Sequence, residues 1–259
     1  IPSYSNYFIN YAGIFFFCII IIGLFTRQHK RITHVFFWSG ILFTLPIALL
    51  GQVVYPRYLF PAVFFYTIAA SFALEAIVMT HVYKQKSVIK RTLVSLVLAL
   101  MIANTVATSV VFMAQAVFQP NNLRLVPLDT VQYLTEWSSG HGIYEAYTLI
   151  TAAAQTQTIA VGTEGYFGTL PDGLLLYFYG KNVDNLYIEG IGYPVGNIPR
   201  SFLTRSFQFD QQWLVVNSHR MNFNLDAKYL IAEYCRPFGA PCLQVWNLTE
   251  VLHDLPISD

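Results

Sequence analysis

Charge is what this sequence has least of. Only 11% of its 259 residues are Asp, Glu, Lys or Arg, and residues 1–118 hold a single acid, Glu75, against eight Lys or Arg. Apolar side chains make up 55% of the chain, with a mean hydropathy of +0.47, so neither a disordered segment nor a charged tail is in question. Cysteine is scarce as well, at three residues, which excludes a small disulfide-framework fold. No CxxC pair occurs, and the six histidines (29, 34, 81, 141, 219, 253) are scattered without ligand spacing, so no metal is expected. The chain has neither GxGxxG nor a Walker lysine, which removes the usual nucleotide sites, and no cofactor is expected. No n-region or cleavage-site pattern accompanies the first apolar run, so it is expected to be a membrane span rather than a signal peptide.

Where charge is missing, long apolar runs remain. Four are legible, at about 7–25, 32–55, 58–83 and 92–118. Tyr7 to Phe25 holds no charge, and Ile32 to Tyr55 is interrupted only by His34. Tyr58 to Tyr83 holds Glu75 as its one acid, and Thr92 to Phe118 holds none. Each run reaches the roughly 18 to 20 residues that cross a bilayer core as a helix, and helix is the form that satisfies its own backbone in lipid.

Basic residues orient these runs. Arg27, Lys30 and Arg31 lie between the first two, and Lys84, Lys86, Lys90 and Arg91 between the last two, whereas the turn between the second and third offers only Arg57. Lys and Arg in short loops mark the cytoplasmic side. Residues 119–259 reverse the balance, with 7 basic residues against 13 acids. The expected architecture is a membrane α-helical bundle of four transmembrane helices over 1–118, followed by an extracytoplasmic α/β domain with a mixed sheet over 119–259. The expected location is the plasma membrane, with membrane lipid as a partner. The outer domain is net acidic, so nucleic acid is not expected as a partner.

In the outer domain, Asp129 reads as the N-cap of a helix through Trp137, and Ile143 to Gln155 as a second helix. Thr158 to Gly162 (TIAVG) reads as a buried strand that runs into the glycine turn GTEGYFG, with Asp172 capping a helix through Tyr179. Further strands are expected at Asn185–Glu189, Trp213–Asn217, Tyr229–Tyr234 and Leu243–Leu248, with a helix near Ile198–Phe207. Strand, turn, helix, strand is the grammar of an α/β sheet. The last two strands form an expected hairpin around Arg236 to Pro241. Cys235 and Cys242 bracket its turn, either as a disulfide or as two unpaired thiols. The glycines of GTEGYFG fit a tight turn better than an anion site. Its acids, Glu164 and Asp172, are either acceptor contacts or solvated side chains.

The densest polar cluster at the outer face is Gln52, Tyr55, Arg57 and Tyr58, within QVVYPRYLFP. A guanidinium forks onto phosphate oxygens. Arg57 at headgroup depth, with the Tyr55 and Tyr58 hydroxyls as further donors, either holds a lipid phosphate or is an interfacial anchor. Glu75 lies about 25 Å further along its helix than Tyr58, toward the inner face.

Apolar helix, YPRYLFP, apolar helix, short basic loop, final helix and outer α/β domain together resemble the C-terminal half of a glycosyltransferase of the C superfamily. The relatives in view are bacterial proteins akin to protein O-mannosyltransferases and the lipid A aminoarabinose transferase. The stretch from Thr158 to Arg200 also looks like tail domains of bacterial proteins of this type. The resemblance implies an enzyme that takes a sugar from a polyprenyl-phosphate donor and delivers it outside the cytoplasm to a glycan, lipid or protein. It carries Arg57 and Tyr58 over as donor-phosphate contacts. Such enzymes hold their catalytic acid in the first outer loop, which has no counterpart here, so the chain is expected to be the C-terminal part of a longer protein. The other expectation is a non-catalytic, membrane-anchored module whose outer domain binds a partner or a cell-wall polymer. In either case, a cysteine introduced beside Lys86 should react with an impermeant maleimide only from the cytoplasmic side. Reaction in intact cells would overturn the orientation and the functional reading built on it.

Overall fold

A computed structural model describes residues 11, 13–51, 56–123, 125–181 and 184–258. It divides into two compact units, Ile1–Asp129 and Thr130–Asp259. That division lies beyond the composition break at Phe118, because Val126 and Asp129 join the first unit. Val126 packs with Leu59, and Asp129 accepts a hydrogen bond from the Tyr11 hydroxyl.

The first unit is helical: α1 (Ile14–Phe25), α2 (Lys30–Leu50), α3 (Phe60–Val78) and α4 (Val88–Phe118). The turn Pro56–Leu59 leads into α3, and a wider helical turn, Met79–Tyr83, extends it. Among the described residues, three stretches are long and apolar enough to cross a membrane: Lys30–Leu50, Arg57–Tyr83 and Val88–Phe118. They mark a membrane protein. At 1.5 Å per residue they measure about 31, 40 and 46 Å. The first expected span is described from Ile14 as a helix of 12 residues, shorter than a crossing, and most of its N-terminal portion lies outside the described residues.

Packing in this unit centres on α3. Ala62, Tyr66, Ala69, Ala73 and Ala76 are all buried and recur at steps of four and three residues, so they line one side of the helix. Small residues are what let apolar helices approach closely when no water drives them together. Glycines answer them from the neighbouring helices. A Cβ on Gly23 of α1 would stand 2.2 Å from Ala73 Cβ, and one on Gly40 of α2 would stand 2.5 Å from the Tyr66 ring. Among the described residues α4 buries no side chain.

The second unit is a mixed sheet with helices on both faces. Its elements are α5 (Ile143–Ala153), β1 (Ile159–Glu164), α6 (Asp172–Phe178), β2 (Leu186–Gly192), β3 (Ile198–Pro199), α7 (Arg200–Ser206), β4 (Gln211–Asn217), β5 (Leu230–Cys235), β6 (Cys242–Asn247) and β7 (Ile257–Ser258). The main sheet runs β2-β1-β4-β6-β5, and β3 and β7 form a small second sheet. β1 pairs in parallel with both β2 and β4, whereas β4–β6 and β6–β5 are antiparallel. Strand alternation sends residues to two cores. Ile159, Val161, Trp213, Val215, Leu243 and Val245 meet α5 and α6 on one face, while Ala160, Leu214, Val216 and Trp246 meet Phe202 of α7 on the other.

Local boundaries differ from the sequence reading in several places: β1 runs on to Glu164, inside the expected glycine turn, and Asp172 is the first residue of α6 rather than its cap, which is Pro171. The helix expected from Asp129 begins instead at Pro127 and passes into a wider turn over Val131–Thr135. Proline suits a first helical position, where its missing N–H costs nothing, and the Asp129 carboxylate is engaged by Tyr11 rather than capping. The helix near Ile198 starts at Arg200, because the Ile198 N–H donates to Pro256 O in the β3–β7 pairing (2.7 Å).

The α1–α3 contact is directly testable. Gly23→Val should lower the melting temperature of the detergent-solubilised chain by several degrees, since overpacking costs about 1–3 kcal/mol. Ala107→Val, on the exposed surface of α4, should leave it unchanged. Equal melting of the two variants would remove the contact from what holds the unit together.

Candidate functional site

Two clusters carry chemistry. In the first unit, Arg57 and Tyr58 sit on the single turn Pro56–Leu59 at the start of a membrane-length helix. Leu59 fixes that turn by burying its side chain against Val126, with Ile47 and Leu128 around it. Phe60 then opens α3, with Pro61 in its first turn. Arg57 and Tyr58 are both exposed, and the guanidinium carbon of Arg57 lies 5.3 Å from the centre of the Tyr58 ring. A cation over a ring face is weakly attracted by the ring's negative face. Gln52 and Tyr55 lie outside the described residues.

Glu75 is far from this turn. Its carboxylate is 3.3 Å from Nε2 of His29, in the loop between α1 and α2 that also carries Arg27.

The second cluster lies in the second unit, where β1 and β4 end side by side. The connection from β1 leads to β2 on one flank, and the chain returns to β4 on the other. Ligands of α/β sheets bind in the crevice at such a reversal, beyond the carboxyl ends of the strands. Here Glu164 closes β1 and Asn217 closes β4. Glu164 is 1% exposed. Its Oε2 accepts from the Asn217 backbone N–H (2.8 Å), and its Oε1 accepts from Asn217 Nδ2 (2.6 Å) and from Arg220 Nη1 (3.4 Å).

Two arginines surround this carboxylate. Arg220 is held between two rings, 4.3 Å from Trp137 and 4.1 Å from Tyr193. Arg236 is buried and donates through Nε to Ser139 Oγ (3.1 Å), through Nη1 to the Pro241 carbonyl and through Nη2 to Asn217 Oδ1. Burial pushes the Arg236 guanidinium below its ordinary value, and Glu164 and Glu136 oppose that shift. At the rim, His219 Nε2 stands 3.6 Å from Glu136 Oε2.

The β5–β6 hairpin delivers Arg236. Cys235 and Cys242 are joined by a disulfide across paired positions of the two strands. The intervening turn takes positive φ at Phe238 and Gly239. Cys242 N–H donates to Ser218 Oγ (3.2 Å), which ties the hairpin to the end of β4. The Glu233 carboxylate lies within 4.8 Å of both sulfurs. With both sulfurs spent in the disulfide, that set offers no thiolate to a metal.

Asp172 is exposed at the start of α6, where its Oδ2 accepts from Gly168 N–H (2.7 Å) and so closes the glycine turn. The structure therefore brings Glu164 into a buried network and leaves Asp172 at the surface. Sequence reading missed Asn217, Arg220, Arg236, Trp137 and Tyr193. The available signal was position: Asn217 and Arg220 follow the apolar run WLVV, at the end of a strand, where α/β sites gather. Comparison with protein-family models, curated proteins and solved structures finds no match to this chain.

Glu164→Ala should destabilise the second unit by about 3–5 kcal/mol, because it leaves two arginines without their buried counter-charge. Glu164→Gln should cost less, since its oxygen can still accept from Asn217. Protease resistance across a denaturant series measures both. Wild-type resistance in Glu164→Ala would show that the network contributes nothing to the fold.

Proposed function

We propose that this chain is the C-terminal portion of an integral membrane glycosyltransferase. It moves a sugar from a polyprenyl-phosphate donor to an acceptor on the extracytoplasmic face, with the second unit on that side. The observation that supports this reading is the Arg57–Tyr58 pair, exposed at the start of a membrane-length helix. When the sugar leaves its lipid carrier, negative charge grows on the phosphate oxygens. A guanidinium placed there stabilises that charge, and its fork fixes the phosphate in two directions. The Tyr58 hydroxyl adds a neutral donor, and Tyr55, two residues before Arg57 in the sequence, is assigned the same role. Orientation follows from the basic loops, since seven of the eight Lys or Arg in residues 1–118 flank the turns assigned to the cytoplasm. Asp172, exposed beside the glycine turn, is the acid available to an acceptor in this scheme, and Glu164 acts by ordering the crevice next to it.

A second reading is a non-catalytic, membrane-anchored module whose outer unit binds a partner or a cell-wall polymer. It is favoured by the ring-flanked Arg220 at the strand ends, since aromatic faces beside fixed polar groups are the makings of a recognition site.

A transfer assay on the full-length protein with a polyprenyl-phosphate sugar separates the two. Arg57→Lys should already weaken donor use, because one ammonium does not reproduce a two-point fork. With the bound donor covering the guanidinium, Arg57→Ala should lose about 2–4 kcal/mol of transition-state stabilisation at normal protein abundance. Wild-type transfer by Arg57→Ala would reduce Arg57 to an interfacial anchor. Absence of transfer by the wild type would favour the module.

A further inference from the structure

The face of the second unit that carries α6 is coated with large apolar side chains turned away from the core. In α6, Leu174 and Phe178 are buried against the sheet, whereas Leu175, Leu176 and Tyr177 face outward, with Leu176 at 73% exposure. Tyr179, just beyond the helix, is 87% exposed. The loop before the helix adds Tyr166 at 70% and Phe167 at 81%. The Gly168–Asp172 hydrogen bond holds this loop against the first turn of α6. On the other side, Tyr177 stacks on Tyr147 (5.2 Å between ring centres) and meets Tyr144 (5.6 Å) on α5, while Lys181 lies over the Tyr147 ring. Soluble surfaces rarely gather so many large apolar side chains in one place without a partner.

We propose that this patch docks on the lipid bilayer, with Phe167, Leu176 and Tyr179 inserted among the headgroups and upper acyl chains. The occupant follows from the chain itself. α4 is an apolar helix of 31 residues, and only residues 119–129 separate its end from the second unit. A tether of that length reaches at most about 40 Å, so the second unit is never far from a bilayer surface. A weak apolar contact then acts at high effective concentration. The residue types match as well. Tyr, Phe and Leu with a nearby Lys is the mixture found where proteins lie in the headgroup region, the rings at the boundary and the ammonium reaching back to water. Phe167, Leu176 and Tyr179 project singly from a loop, a seven-residue helix and the residue just past that helix, a form suited to a soft, fluid surface.

This inference is independent of the transferase reading. Its test uses the full chain in lipid nanodiscs, with Cys18→Ala to leave no native free thiol, and a nitroxide attached at Phe167→Cys or Leu176→Cys. Gln208→Cys, beyond α7 on the opposite face of the sheet, is the reference. All three positions are exposed, so the substitutions do not burden folding. Collision rates with oxygen, which concentrates in lipid, and with a water-soluble nickel chelate are measured at each position. Labels at 167 and 176 should favour oxygen, and the label at 208 the nickel chelate. Nickel access at 167 and 176 equal to that at 208 would mean that the patch faces water. Shielding from both reagents would mean that protein covers it. Either result overturns the proposal.

Discussion

A carboxylate taken out of water loses several kcal/mol of hydration, which must be met by hydrogen bonds and an opposing charge. Glu164 sets that requirement in the second unit, and the elements around it are arranged to satisfy it. β4 ends where its last residue, Asn217, can donate twice to Glu164. The segment after β4 turns so that Arg220 completes the set. The β5–β6 hairpin brings Arg236 onto Asn217, and the same guanidinium reaches back to Ser139. One buried charge thus links β1, β4, the hairpin and the segment ahead of α5. Removing any one partner leaves another without its bond, so the strand ends behave as a unit.

The strands were legible in the sequence because central strands of an α/β sheet are buried on both faces and read as short apolar runs, as in TIAVG and WLVV. The antiparallel hairpin was legible because its turn is short and local. Strand order was not, since it depends on pairings such as Ile159 with both Leu186 and Gln211, far apart in the chain. The site had the same limit. Glu164 stood out in its glycine turn, but its burial depends on Asn217 and Arg220, 53 and 56 residues away. Nothing local to the turn announces them. Cys235 and Cys242 left bonded and unbonded states both open, because spacing alone does not fix the pairing that sets them opposite each other.

In the first unit a different signal mattered. Hydropathy locates membrane-length helices but says nothing of which side faces a neighbour, because every side is apolar. Residue size supplies that information. Gly23, Gly40 and the alanines of α3 mark where helices touch, since only small side chains let the backbones meet. α4 is the most apolar of the three long helices, yet it buries none of its residues within the described chain. Apolar length and close packing are therefore separate properties here.

The Cys235–Cys242 bond has a consequence that reaches beyond the hairpin. Such bonds form and persist mainly in compartments that oxidise thiols. The turn it closes carries Arg236 and the Pro241 carbonyl that receives it. A copy inserted with its second unit on the reducing side would keep both thiols, and the clamp on Arg236 would lose its brace. If the second unit lies outside the cytoplasm, as proposed, redox chemistry distinguishes the two orientations: only a chain inserted that way has its crevice covalently locked.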